Sequence, residues 1–174
     1  MAYLLNRGYR DIRVVSQLPE VLLYDDFREA YENEIAGCTE AMAAAGLKFD
    51  PHSIVRWPEQ TEECGYREMK KLLQRPDRPR AIFINHDILT RGALLAVYEL
   101  GLKIPQDIVL LTHFNEGNPI VSPVELTRLV YNPRLVVDSV LNDVLAQLRR
   151  ETPEPGESRK QVDGCIVPGK SCGE

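Results

Sequence analysis

The apolar residues of this chain follow two different spacings. Short runs of consecutive apolar residues are typical of strands buried on both faces, and four of them predict strands over 12–16, 53–57, 81–85 and 108–112. Between the runs, apolar residues recur every three or four positions, which predicts amphipathic helices over 25–45, from residue 62 onward, and over 88–100. Strands that alternate with helices belong to a parallel sheet with flanking helices, so we expect an α/β fold.

The pattern changes after the fourth predicted strand. A loop rich in Gly, Asn and Pro covers 113–122, and a fifth strand is predicted over 126–131. The pair Asn132-Pro133 is typical of a helix start, and the helix that follows carries apolar residues along one face to residue 148. A segment rich in Pro, Glu and Ser covers 151–164, and a last short strand is predicted over 165–168.

Charge and composition exclude several classes of partner. The formal net charge of the 174 residues is −5 and the basic residues are scattered, which argues against a nucleic-acid surface on this chain. No apolar run approaches 18 residues, and the N-terminal segment MAYLLNRGYRD is too short for a secretory signal, so we expect no membrane contact and a cytoplasmic location. The four cysteines lack metal-ligand spacing, which favours reduced structural thiols.

Polar residues follow the third and fourth predicted strands. Asn85, His86 and Asp87 end the third strand, and His113 and Asn115 follow the fourth. Ligands of parallel sheets sit beyond the carboxyl ends of the strands, so these residues are candidates for binding a small polar ligand. The structural alternatives are hydrogen bonding to loop backbone and, for Asp87, capping of the next helix.

Two further residues are candidates for the same site. Trp57 ends the second predicted strand, where its ring either stacks on a ligand or lies buried. Glu34 lies on a charged face of the long helix, where it is either a ligand contact or a solvated carboxylate. We find no nucleophile elbow, no Cys–His signature, no phosphate loop and no metal-ligand spacing, and therefore predict no catalytic residues, no cofactor and no metal.

The segment from Gly65 to Ile108, GYREMKKLLQRPDRPRAIFINHDILTRGALLAVYELGLKIPQDI, resembles the effector domain of lactose-repressor-like (LacI/GalR) transcription regulators. The opening LLNRGYRDIRVVS, the helix segment AGCTEAMAAAGL and the segment VELTRLVYNPRLVVDSVLNDVLAQL are also similar to that family. The resemblance implies a periplasmic-binding-protein-like (type I) fold. Residues 1–122 would form its second, C-terminal subdomain, 123–150 a crossover strand and helix of the first subdomain, and 151–174 a linker and terminal strand.

The resemblance also implies what lies outside this chain. The family's helix-turn-helix headpiece, hinge helix and most of its first subdomain are absent, so we expect a piece of a longer protein that contacts DNA through the absent headpiece. With the first subdomain missing, the helix beginning at Pro133 would be uncovered, and the strand over 126–131 would present an unpaired edge. We expect association through this region and a homodimer.

Three departures from the family's effector contacts distinguish this chain. The family's arginine three residues before the helix glycine is Glu34 here, the asparagine of its Asn-Asp pair is His86, and its acidic pair after the fourth strand is replaced by the run from Thr112 to Glu116. A changed ligand, or none, is what these departures imply.

The hypothesis favoured by these observations is the ligand-sensing and dimerising part of a LacI-type regulator whose effector is a sugar or another polar metabolite. A free-standing sugar-binding protein of the periplasmic type is the alternative, against which the missing signal peptide argues. A receiver domain would need acidic residues after the first strand, where Ser16 stands. The fold alone would also allow an enzyme, because a fold does not set a function, but we predict that this chain is not one.

Overall fold

Six strands form one sheet in the computed structural model, which describes residues 1–16, 25–114, 117–149 and 163–173. The strands are β1 (Ile12–Ser16), β2 (Ile54–Arg56), β3 (Ala81–Ile84), β4 (Val109–His113), β5 (Thr127–Val130) and β6 (Cys165–Val167). Their order across the sheet is β2-β1-β3-β4-β5-β6. The first five run parallel and β6 is antiparallel to β5, so the predicted parallel sheet with flanking helices is confirmed.

The helices cover both faces of the sheet. They are α1 (Ala2–Asn6), α2 (Asp25–Ala44), α3 (Glu62–Leu73), α4 (Asp87–Glu99) and α5 (Pro133–Leu148), with short 3-10 turns at Pro51–Ser53 and Lys170–Cys172. Apolar side chains of α3 and α4 pack on one face of the sheet, and those of α1 and α2 pack on the other. None of the helices in the described part of the chain has the length and apolarity that a membrane span requires.

The ends of the helices follow their sequence signals. The hydroxyl of Thr61 accepts a hydrogen bond from the amide of Cys64 (3.1 Å), which starts α3, and Glu62 and Lys71 lie at the ends where each complements the helix dipole. The helices predicted over 25–45 and 88–100 end within one residue of the expected positions, and Gly46 and Gly101 just beyond them adopt the left-handed backbone (φ 70° and 68°) that other residues rarely adopt.

The fifth strand and the last helix differ in how they are covered. β5 pairs with β4 on one side and with β6 on the other, so the expectation of an unpaired edge at 126–131 is wrong: the segment 165–167 covers it. This pairing places β5 in the same sheet as the strands of residues 1–122. The large apolar residues of α5 whose burial is described are roughly half exposed or more, as Val140 (56 %) and Leu148 (75 %) illustrate. Whether α5 belongs to another subdomain stays a prediction.

Candidate functional site

The carboxyl ends of three neighbouring strands bring polar side chains to one level of the sheet. Val15 pairs with Ile84, and Ile84 pairs with Thr112, so the next residues along each strand, Ser16, Asn85 and His113, lie side by side. The backbone amide of Asn85 donates to the carbonyl oxygen of Val15 (3.4 Å). Neighbouring strands are about 4.8 Å apart, so this row is short enough for one small molecule to reach all three.

His86 stands between the end of β3 and the start of α4. It is the N-cap residue, with an extended backbone (φ −150°, ψ 127°) and no capping hydrogen bond from its side chain. The imidazole is half-buried, and its Nε2 atom is buried with no hydrogen-bond partner among the described residues. Burial lowers the pKa of His86, nearby His113 lowers it further, and Asp87 opposes the shift. With a lowered pKa, the His86 ring stays neutral at pH values at which a free histidine begins to be protonated.

Asp87 is the first residue of α4, so its alternative interpretation as the N-cap is wrong by one position. Its Oδ1 atom accepts from the amide of Ile88 (2.8 Å), and its Oδ2 atom accepts from the side-chain amide of Asn118. Arg91 donates to Asn118 Oδ1 (3.0 Å) and to the carbonyl oxygen of Pro119 (3.2 Å). Asp87 thus ties the loop after β4 to the start of α4.

A buried pair of hydroxyls beneath this site escaped the sequence analysis. The Oγ1 atoms of Thr90 and Thr112 are 2.6 Å apart, and both side chains are fully buried. Thr90 also donates to the carbonyl oxygen of His86 (2.8 Å), so its oxygen accepts the proton of Thr112. The pair joins the first turn of α4 to the end of β4. The one sequence signal for this pair was Thr112, a polar residue at the end of an apolar strand.

Glu34 reaches the same edge of the sheet from α2. The hydroxyl of Ser16 donates to Glu34 Oε2, and the other carboxylate oxygen, Oε1, is buried with no partner among the described residues. Burial raises the pKa of the Glu34 carboxyl, and the bond from Ser16 opposes that shift. The solvated carboxylate considered from the sequence is therefore wrong for this half-buried group. Ser16 is a site residue that the sequence analysis did not include.

Of the remaining candidates, Trp57 belongs to the core, and His113 of the row makes a further contact. The indole of Trp57 is 3 % exposed and packs in the apolar core beside α3, which is the buried alternative for this side chain. The His113 ring meets the Tyr131 ring edge to face (centroids 5.3 Å, 65°). Asn115 lies outside the described residues. Within the described ranges, no group of three His, Cys, Asp or Glu residues is placed to hold a metal ion.

Comparison with known proteins gives concordant results. Residues 1–172 match the family described as periplasmic binding protein-like domain. Over 153 residues the chain is 32 % identical to the HTH-type transcriptional repressor PurR of Escherichia coli, and the match covers 88 % of this chain and 42 % of the repressor. The chain therefore spans less than half the length of this curated relative.

Solved structures resemble the whole chain. A regulatory protein of LacI family from Chloroflexus aggregans superposes with a TM-score of 0.74 at 24 % identity, covering 98 % of this chain and 58 % of that protein. A sugar-binding transcriptional regulator of the LacI family from Escherichia coli, complexed with phosphate, gives a TM-score of 0.73 at 16 % identity, with 98 % and 57 % covered. At these identities the two structures support the fold.

Proposed function

This chain belongs to the family of periplasmic binding protein-like domains and corresponds to an effector-domain region of LacI/GalR regulators, and from that premise we propose that it senses a small polar effector for a transcription regulator. The observation that carries the proposal is the level row of Ser16, Asn85 and His113, with His86 beside it, at the carboxyl edge of the sheet. The effector binds there, in a cleft completed by another subdomain. The regulator acts in the cytoplasm.

Two surfaces support the proposed arrangement of the complete protein. The half-exposed apolar residues of α5 have no packing partner in the described part of the chain that buries them fully. We propose that α5 packs in the other subdomain and that residues 163–173 return to this sheet. The second surface, on α4 and the loop after β4, replaces the region of β5 and α5 as the contact that we propose between two copies. Ile88, Leu95 (60 % exposed), Tyr98 and Val121 (92 % exposed) form an outward apolar strip there, which we propose packs against a second copy of the protein.

A bound effector would change the position of one subdomain relative to the other. That movement would change the spacing of the two DNA-binding headpieces and therefore the DNA affinity. The chain itself is acidic, so DNA contact belongs to a headpiece outside it. The test uses the complete protein and DNA from upstream of its own gene, with fluorescence anisotropy at fixed salt. We expect at least one sugar or polar metabolite to change the DNA affinity tenfold or more.

Variants separate sensing from DNA binding. We expect Asn85→Ala and His86→Ala to lose the response to the effector and to keep the DNA affinity of the effector-free protein, whereas Gln74→Ala, an exposed change at the end of α3, keeps both. Failure of the protein to bind its upstream DNA with any metabolite present or absent would contradict the proposal. So would a response that survives in both site variants.

A further inference from the structure

The candidate site contains two buried polar atoms that the described part of the chain leaves without a hydrogen-bond partner, Glu34 Oε1 and His86 Nε2. Folded proteins pair nearly all such atoms, and the exceptions call for a specific explanation. Glu34 lies on α2 and bonds to Ser16 at the end of β1, and His86 follows the end of the neighbouring strand β3, so both side chains are at the carboxyl edge of the sheet. A bound molecule that satisfies both would account for their position.

The hydrogen bonding of the Glu34 carboxylate indicates which group such a molecule must supply. Ser16 has one hydroxyl proton, and that proton is donated to Glu34 Oε2. Oε1 is thus an acceptor that still needs a donor. No ion pair among the described residues involves Glu34, and Arg56 at the end of β2 is instead held by the ring and hydroxyl of Tyr31.

The described segments that follow β2 and β3, 57–61 and 85–86, contain no Lys or Arg and include Glu59. The two arginines at the loop after β4 have other contacts: Arg91 bonds to Asn118 and to the carbonyl oxygen of Pro119, and Arg128 lies over the Phe114 ring. A phosphate or carboxylate ligand at Glu34 Oε1 would meet an acceptor and a negative charge, whereas a cation would be attracted to it.

We propose that the effector is a small polar molecule with a protonated amine, whose ammonium group donates to Glu34 Oε1. Another polar group of the same molecule, such as a hydroxyl, bonds to His86 Nε2. An ammonium group fits because it supplies three hydrogen-bond donors and the positive charge that would balance the buried carboxylate. This assignment rests on the proposed function, since it names the ligand class for the same site.

Matched pairs of compounds test the ligand class. The probes are glucosamine against glucose, and putrescine against 1,4-butanediol, with glucose 6-phosphate as the anionic probe. Calorimetric titration of the complete protein measures each affinity. We expect an amine to bind at least tenfold more tightly than its uncharged partner and the phosphate not to bind. If neither amine binds more tightly than its partner, the inference is wrong.

The variant Glu34→Gln tests the contact itself, because glutamine keeps the shape and an acceptor for Ser16 and removes the charge. Amine affinity should fall tenfold or more, while Glu40→Gln on the exposed face of the same helix leaves it unchanged. Equal amine affinity in Glu34→Gln and the native protein would overturn the assignment. Tight binding of glucose or glucose 6-phosphate that is lost in His86→Ala would overturn the amine class and leave the proposed effector function standing.

Discussion

Gly92 in α4 lies so close to α3 that a Cβ atom added to it would be 1.8 Å from the carbonyl oxygen of Glu62. The contact is reciprocal, since a Cβ atom on Gly65 of α3 would be 2.2 Å from the carbonyl oxygen of Leu89. The two helices therefore pack backbone to backbone at this crossing. Because α4 begins directly after His86, this crossing also positions the candidate site.

Gly92→Ala should destabilise the protein by about 2–3 kcal/mol, the upper part of the usual range for overpacking, since the atom that must yield is backbone. Urea denaturation of the complete protein measures the change. Gly37→Ala is the matched control: Gly37 lies within α2, exposed, with no atom near its added Cβ. That variant should be more stable by about 0.5–1 kcal/mol. Equal effects of the two changes would contradict the role of the helix crossing.

The Thr90–Thr112 pair predicts non-additive changes. Thr90→Val leaves the buried hydroxyl of Thr112 without its acceptor, which should cost about 1–3 kcal/mol of unfolding free energy. Adding Thr112→Val removes the stranded group, so the double variant should be less destabilised than the sum of the single variants. A double-mutant cycle by urea denaturation measures the coupling. Additive losses would mean that the two hydroxyls do not act as a pair.

Much of the fold was predictable from the sequence because its signals are local. The apolar runs located β1 and β3, and the dipeptide Asn132-Pro133 located the start of α5, where the Asn132 side chain accepts from the amide of Arg134 (3.0 Å). The covering of β5 by β6 was not predictable, because an antiparallel pairing across 151–164 leaves no local pattern. Strand order likewise depends on contacts that are distant in sequence.

The candidate site was only partly predictable. Position after a strand correctly brought Asn85 and His113 to one level, because that rule depends on topology alone. The burial of Trp57 and Glu34 depends on which face of β1 and β2 each helix covers, which the residue types do not specify. Ser16 was missed because an isolated serine at a strand end has no motif around it.

The lowered pKa of His86 predicts a dependence of stability on pH. A base whose pKa falls on folding binds its proton more weakly in the folded state, so stability is lost as pH falls through 6.5 toward the folded value. The slope for one proton is at most about 1.4 kcal/mol per pH unit. We expect His86→Gln to flatten the profile between pH 7 and 5. Chemical denaturation at several pH values measures the change, and an unaltered profile in this variant would contradict the assignment.

Glu34 should act in the opposite direction. Its pKa is raised in the folded state, mainly by burial, with Ser16 opposing, so its ionisation destabilises the protein as pH rises above the ordinary value of 4.5. Without ligand at pH 7, Glu34→Gln should be more stable than the native protein by about 1 kcal/mol, the low end of the range for an unpaired buried group. The difference should shrink as pH falls toward 4.5. A constant difference across this range would show that the carboxylate does not titrate as argued.

The proposed dimer surface makes the last prediction. Leu95 lies on the outer face of α4 with 60 % of its surface exposed, and Tyr98, three residues later, bonds through its hydroxyl to Ser122 (3.1 Å), beside Val121. In the complete protein, Leu95→Asp should convert a dimer into a monomer at micromolar concentration, because two copies related by a twofold axis would each bury a charge in an apolar contact. Sedimentation velocity measures the change.

Tyr66→Phe on α3 is the control. It keeps the ring and loses the hydroxyl that bonds to Glu99, and it should leave the dimer intact. A Leu95→Asp protein that sediments as a dimer would place the interface elsewhere. A cooperative denaturation curve of the monomeric variant would rule out general unfolding as the cause of a monomeric result.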